Sequence, residues 1–89
     1  MVITKKALKR IRQLRSRQPA LKKAGLRLGL KEDNVFLKWD FDGPGEKDLV
    51  VMRRDIPIVI DAQTYLHLAD YLLDFERGKS HQRFLLRPR

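Results

Sequence analysis

Apolar residues recur along this chain with two different periods. Ala7, Leu8, Ile11 and Leu14 lie three, four and seven residues apart. That spacing predicts one helix from Lys5 to about Arg17 with a single buried stripe. Thr4 stands where an N-cap belongs, and Gln18 before Pro19 is pushed away from helical angles. From residue 26 the period becomes two. Leu26, Leu28 and Leu30 alternate with Arg27, Gly29 and Lys31, and after a turn at Glu32-Asp33-Asn34, Val35, Leu37, Trp39 and Phe41 alternate with polar or aromatic neighbours. Both runs predict strands with one dry face.

The second half continues in short pieces. Asp42-Gly43-Pro44-Gly45 is a loop signal, and Asp48 to Arg54 carries the apolar run Leu49 to Met52 of a third strand. Asp55 turns the chain into a fourth strand, Ile56 to Ile60, where Pro57 suits an edge or a strand start. Asp61 can cap a short helix over about Ala62 to Leu68. Alternation at Tyr71, Leu73 and Phe75 predicts a fifth strand, although a continuous helix from 62 to 75 also fits Leu66, Ala69 and Leu73. Gly78 to His81 forms a turn, and Arg83 to Arg87 a last strand. Ala20 to Gly25 reads as a basic linker. The chain has no internal repeat.

Length and composition narrow the possibilities. Eighty-nine residues make one domain with a modest core. There is no cysteine, which removes disulfides, thiol nucleophiles and thiolate metal sites from these residues. No apolar run reaches the roughly 18 residues of a membrane span, and the N-terminus lacks the apolar stretch of a secretory signal. A small secreted domain would need covalent staples, so a cytoplasmic home is expected.

Charge is unevenly spread. The net value is +9, yet residues 1–31 hold eleven Lys and Arg and no acid, while the remainder is slightly acidic. Lys5, Lys6, Lys9, Arg10, Arg12, Arg15 and Arg17 decorate the first helix and continue into Lys22, Lys23 and Arg27. These ten residues are the candidate anion- or partner-binding site. A polyanionic partner and mere solubility both account for such asymmetry. The helix could also lie on a membrane surface, but its narrow apolar stripe is needed by the core, which ranks the membrane below a partner protein or nucleic acid.

The segments in order resemble the HesB/IscA-like family of A-type iron–sulfur carriers. Ile3-Thr4 with Ala7 and Ile11 is similar to the family's opening helix. Leu26-Arg27-Leu28-Gly29-Leu30-Lys31 resembles its Leu-Arg-Val-Gly-Val-Lys strand. Ile56-Pro57-Ile58-Val59-Ile60-Asp61 is similar to its Val/Ile strand ending in Asp, and Asp70-Tyr71, Gly78 and Phe84 to its closing hairpin. The match spans residues 3–88. It implies an α+β HesB-like domain: mostly antiparallel or mixed strands in a small sandwich, an N-terminal helix, and one short helix before the closing hairpin.

The departures bear on function. The family places one cysteine in a Gly-rich turn after the Leu-Arg-Val-Gly strand, where this chain has Glu32-Asp33-Asn34. Its other two cysteines form a Cys-Gly-Cys tail after the hairpin, and this sequence stops at Arg89 before such a tail. Iron–sulfur clusters need soft thiolates, with histidine occasionally added. The expectation is therefore a degenerate, non-catalytic relative without cofactor or metal site. It would serve as a binding or accessory protein through its basic helix, with a link to iron–sulfur assembly and a homodimer both compatible with the resemblance. The alternative is a small RNA- or DNA-binding protein using the same face.

Other patterns are weaker. His67 and Asp70 are too few for a metal site, which needs three or four convergent ligands. Asp40 and Asp42 share a strand face beside a Gly-Pro-Gly loop, where acids commonly serve turns. Neither serine stands in a triad pattern, and Gly43 and Gly45 lead into no phosphate-binding motif. Trp39 with Leu37 and Phe41 could stack bases, but a core this small needs the rings inside.

Overall fold

The computed structural model describes all 89 residues. The chain runs as β1 (Val2–Ile3), α1 (Lys5–Ser16), a 3-10 turn (Pro19–Lys23), β2 (Gly25–Lys31), β3 (Asn34–Asp40), β4 (Asp48–Arg53), β5 (Ile56–Asp61), α2 (Ala62–His67), β6 (Tyr71–Arg77) and β7 (Gln82–Pro88). Two sheets form: β3-β2-β5-β4 and β1-β6-β7. The β2–β5 and β1–β6 pairs are parallel and the others antiparallel. The α+β arrangement of mixed strands expected from the sequence is thus present.

Alternation along the larger sheet explains the core. Leu26 and Leu28 of β2 and Ile56, Ile58 and Ile60 of β5 are fully buried on its inner face. They meet Ala7 and Ile11 of α1 and Leu68, Leu73 and Phe75 from the α2–β6 segment. Burying such side chains contributes about 1.5–3 kcal/mol each. Thr4 fastens the helix: its Oγ1 accepts from Ala7 N at 3.1 Å and donates to Asp74 Oδ1 at 2.8 Å, while Thr4 N donates to Leu73 O. Asp74 also accepts from Arg87 Nε at 2.9 Å. One polar cluster therefore joins the helix start to both strands of the closing hairpin.

Several expectations change. The continuous helix over 62–75 does not form: Ala69 N donates to Leu66 O and Tyr71 N to Leu68 O, closing a turn, and Tyr71–Arg77 pairs with Gln82–Pro88. The linker at 20–25 is ordered as a 3-10 turn with Leu21 and Ala24 buried. Strand β1 had no signal, being two residues that pair with a segment 70 positions away. β3 ends at Asp40, so Phe41 leaves the apolar face and is 62% exposed. Pro57 lies in an interior strand, not at an edge. It sits next to the pair that closes the β4–β5 hairpin and before the β2 ladder begins at Ile58, so its missing N–H interrupts neither ladder.

Candidate functional site

The basic residues singled out in the sequence do not form one patch. Seven of the ten are exposed, spread from α1 to the 3-10 turn, and the other three, Arg10, Arg15 and Arg27, are engaged elsewhere. Arg10 lies with its guanidinium 5.7 Å from the Phe75 ring centre, a cation–π contact at the edge of the core. Arg15 turns inward, its side chain only 15% exposed. Its Nε donates to Leu21 O at 3.1 Å, and its Nη2 to Lys22 O at 2.8 Å and Ala24 O at 3.3 Å. Its Nη1 reaches Asp55 O at 3.4 Å. A planar guanidinium can serve four carbonyls in this way, and it fastens the 3-10 turn and the β4–β5 turn to the helix.

Arg27 belongs to a different feature. It projects from the outer face of the larger sheet, donating through Nε to Asp40 Oδ2 at 2.9 Å and through Nη1 and Nη2 to Asp48 at 3.2 and 2.9 Å. Asp40 also accepts the backbone N–H groups of Asp42 and Gly43, and Asp48 that of Gly45. The trio thus pins the loop 41–47. The N–H of Asp42, along with Arg27, holds the Asp40 carboxyl below its ordinary range, and Arg27 does the same to Asp48. The Arg27 guanidinium is raised in turn by Asp48 and Asp40. Arg27 is accordingly withdrawn from the anion site. Asp40 serves a turn, as the loop signal implied, and Asp42 contributes only its backbone to the trio.

What remains is more compact. A groove of about 710 Å³ runs between the exposed side of α1, the 3-10 turn and the β4–β5 turn. Lys5, Lys9 and Arg12 line it from the helix at i, i+4 and i+7, with Lys22 and the inward Arg15 at one end. Arg54 faces them from the β4–β5 turn, beside Asp55. Lys6, Arg10, Arg17, Lys23 and Arg27 do not line it. Arg54 was missed in the sequence. It is the first residue of a two-residue turn with φ +57°, and only the fold carries that turn back against the N-terminal helix. The groove's single carboxylate, Asp55, is 74% exposed and stands 4.0 Å from Arg15.

The turn where the family keeps a cysteine is closed tightly. Lys31 pairs with Asn34, leaving Glu32 and Asp33 as a two-residue hairpin loop with φ of +51° and +66°. Both central residues are left-handed, the geometry of a type I′ turn. Its donors are two solvated carboxylates, and no three His, Asp or Glu side chains converge anywhere in the chain. Hard oxygen donors on a tight exposed turn do not fit an iron–sulfur cluster. Trp39 is half-buried beside Ile11, Leu14, Leu26 and Phe84, in line with a core role.

Two mixed sheets with an N-terminal helix and a closing β-hairpin match the α+β architecture expected of a HesB/IscA-like domain. SufA of Escherichia coli, involved in the biosynthesis of iron–sulfur clusters, has a similar structure: TM-score 0.71 and 25% identity, over 98% of this chain and 83% of that one. IscA bearing a [2Fe-2S] cluster is similar in fold at TM-score 0.66 and 15% identity, again over 98% and 83%. No protein-family model matches the chain, and no curated protein matches its sequence. The chain shares the fold of these A-type iron–sulfur carriers, and its 89 residues contain no cysteine. No helix is long and apolar enough to cross a membrane.

Proposed function

We propose that this chain is a non-catalytic accessory or binding protein of iron–sulfur assembly. It keeps the carrier scaffold, does not carry a cluster on its own thiols, and engages a partner through the cationic groove beside α1. The observation that carries this reading is the combination of a carrier fold with a tight Glu32-Asp33 turn at the expected ligand position. The groove supports the binding half. Five of its cations, Lys5, Lys9, Arg12, Lys22 and Arg54, make no ion pair within the chain, so their charge is available to a ligand.

The test is a quantitative comparison of partners recovered by tagged wild type and by a Lys9→Glu/Arg12→Glu/Lys22→Glu variant. Iron–sulfur assembly proteins recovered by the wild type and lost by the variant are the expected result. Identical recoveries by both would overturn the reading. Arg10 and Arg15 are left unchanged, because their loss would disturb the fold itself.

A further inference from the structure

The groove's lining narrows what it can hold. Six cationic side chains face one another across it, against one carboxylate and two apolar residues, Leu8 and Ile56. Ile56 is fully buried and offers no pocket. The groove has no apolar pocket to seat an aromatic or aliphatic anchor, so whatever binds there is held by charge. It also has no aromatic side chain on which a base could stack. What it does offer is a row of positive charge. Lys5, Lys9 and Arg12 succeed one another at about 6 and 4.5 Å along the helix axis. Lys22 and Arg54 close in from the other walls, and Gln13 and Ser16 complete the polar lining. Phosphates are held by such arrays, whose lysines and arginines neutralise charge while hydroxyls and amides orient the oxygens. A groove of about 710 Å³ has the capacity of a small-molecule cleft. That suits a single flexible chain rather than a duplex.

We propose that the groove binds a chain of consecutive phosphates, as in the backbone of a single nucleic-acid strand or in polyphosphate, without reading bases. The inference rests on the basic-face reading above and specifies its ligand. With four or five phosphates neutralised, affinity for a single strand falls with a log–log salt slope near −3, so raising salt from 50 to 200 mM weakens binding by about 50- to 130-fold. Asp55 opposes the ligand. Asp55→Asn removes that like charge and tightens binding by roughly two- to fourfold.

The experiment is fluorescence anisotropy with a labelled mixed-sequence 12-nucleotide strand at both salt concentrations, competed with inorganic polyphosphate and with poly-glutamate at equal charge concentration. Lys9→Glu/Arg12→Glu/Lys22→Glu is compared with Lys31→Glu/Lys38→Glu/Lys79→Glu, which changes net charge equally at exposed sites outside the groove. Circular dichroism confirms that both fold. The expected result is a loss of about tenfold or more for the groove variant only, similar affinity for strands of different base composition, and weak competition by poly-glutamate. Polyphosphate that displaces the bound strand much more strongly than unlabelled strand at equal charge concentration identifies free polyphosphate as the source and still supports the proposal. Equal competition by poly-glutamate overturns the phosphate ligand in favour of an acidic protein segment, leaving the basic-face reading standing. Equal losses in both variants, or no binding at low salt, overturn the phosphate ligand, while the partner-recovery comparison above decides the basic-face reading separately.

Discussion

Replacing Arg15 by Met isolates the contact on which the groove's shape depends. The thioether chain keeps much of the stem's packing but removes the guanidinium and its bonds to four backbone carbonyls. Two of those bonds are short, to Lys22 O at 2.8 Å and Leu21 O at 3.1 Å, and two are long, to Ala24 O at 3.3 Å and Asp55 O at 3.4 Å. A bond from a charged donor contributes about 1.5–3 kcal/mol. The Lys22 and Asp55 contacts are solvent-exposed, so water replaces the donor there at little cost, whereas the Leu21 and Ala24 contacts are partly buried. The net loss is therefore about 2–3 kcal/mol. For a domain of this size that lowers Tm by roughly 10–20 °C. Arg12→Met, at an exposed position on the same helix, changes stability by less than about 0.5 kcal/mol. Urea and thermal unfolding followed by circular dichroism measure both variants. If Arg15→Met unfolds within about 0.5 kcal/mol of wild type, the 3-10 turn and the β4–β5 turn are held by something other than this side chain, and the reasoning fails.

Other consequences are equally open to measurement. Replacing Glu32-Asp33 by Asn-Gly relieves two left-handed residues of side chains ill suited to that geometry and raises stability by about 1–2 kcal/mol, read as a higher urea midpoint. Trp39→Ala removes a half-buried ring between the sheets and costs about 2–3 kcal/mol, less than full burial would imply. Acid should weaken the fold through Asp40, Asp48 and Asp74, all held below the ordinary carboxylate range. The causes are the Asp42 N–H for the first, Arg27 for the second and the Thr4 hydroxyl for the third. Because the unfolded chain binds protons at higher pH than these native carboxylates do, their contribution is complete above about pH 4 and lost as pH falls through the lowered native values. An Asp74→Asn variant should show a shallower loss of Tm between pH 5 and pH 2, and an unchanged slope would remove Asp74 from that explanation.

Much of this architecture is written in local pattern. The leucines of β2, the isoleucines of β5 and the Ala7–Ile11 stripe carry their own periodicity, because a residue's neighbours three, four or two positions away decide its exposure. Thr4 and Asp61 announce helix starts for the same local reason, and both do accept from the backbone N–H groups beyond them. The site was less legible because charge has no periodicity to betray its partner. Arg27 looks as free as Lys9 in the sequence, yet acids at positions 40 and 48 reach it only once four strands are aligned. Arg54 gave no sign of facing Lys5, since their meeting depends on how a turn packs against a helix nearly fifty residues earlier. The segment 62–75 was ambiguous because Leu66, Ala69 and Leu73 satisfy a helical stripe, and pairing with β7 decides otherwise.

Whether this scaffold can carry a cluster on its own is settled most directly by anaerobic reconstitution. The purified chain is incubated with ferrous iron, sulfide and a thiol reductant, desalted, and examined by visible absorption with iron and sulfide analysis. The expected spectrum has no stoichiometric charge-transfer band, and iron falls to trace levels after desalting. A band with one cluster retained per chain or per pair of chains would contradict it.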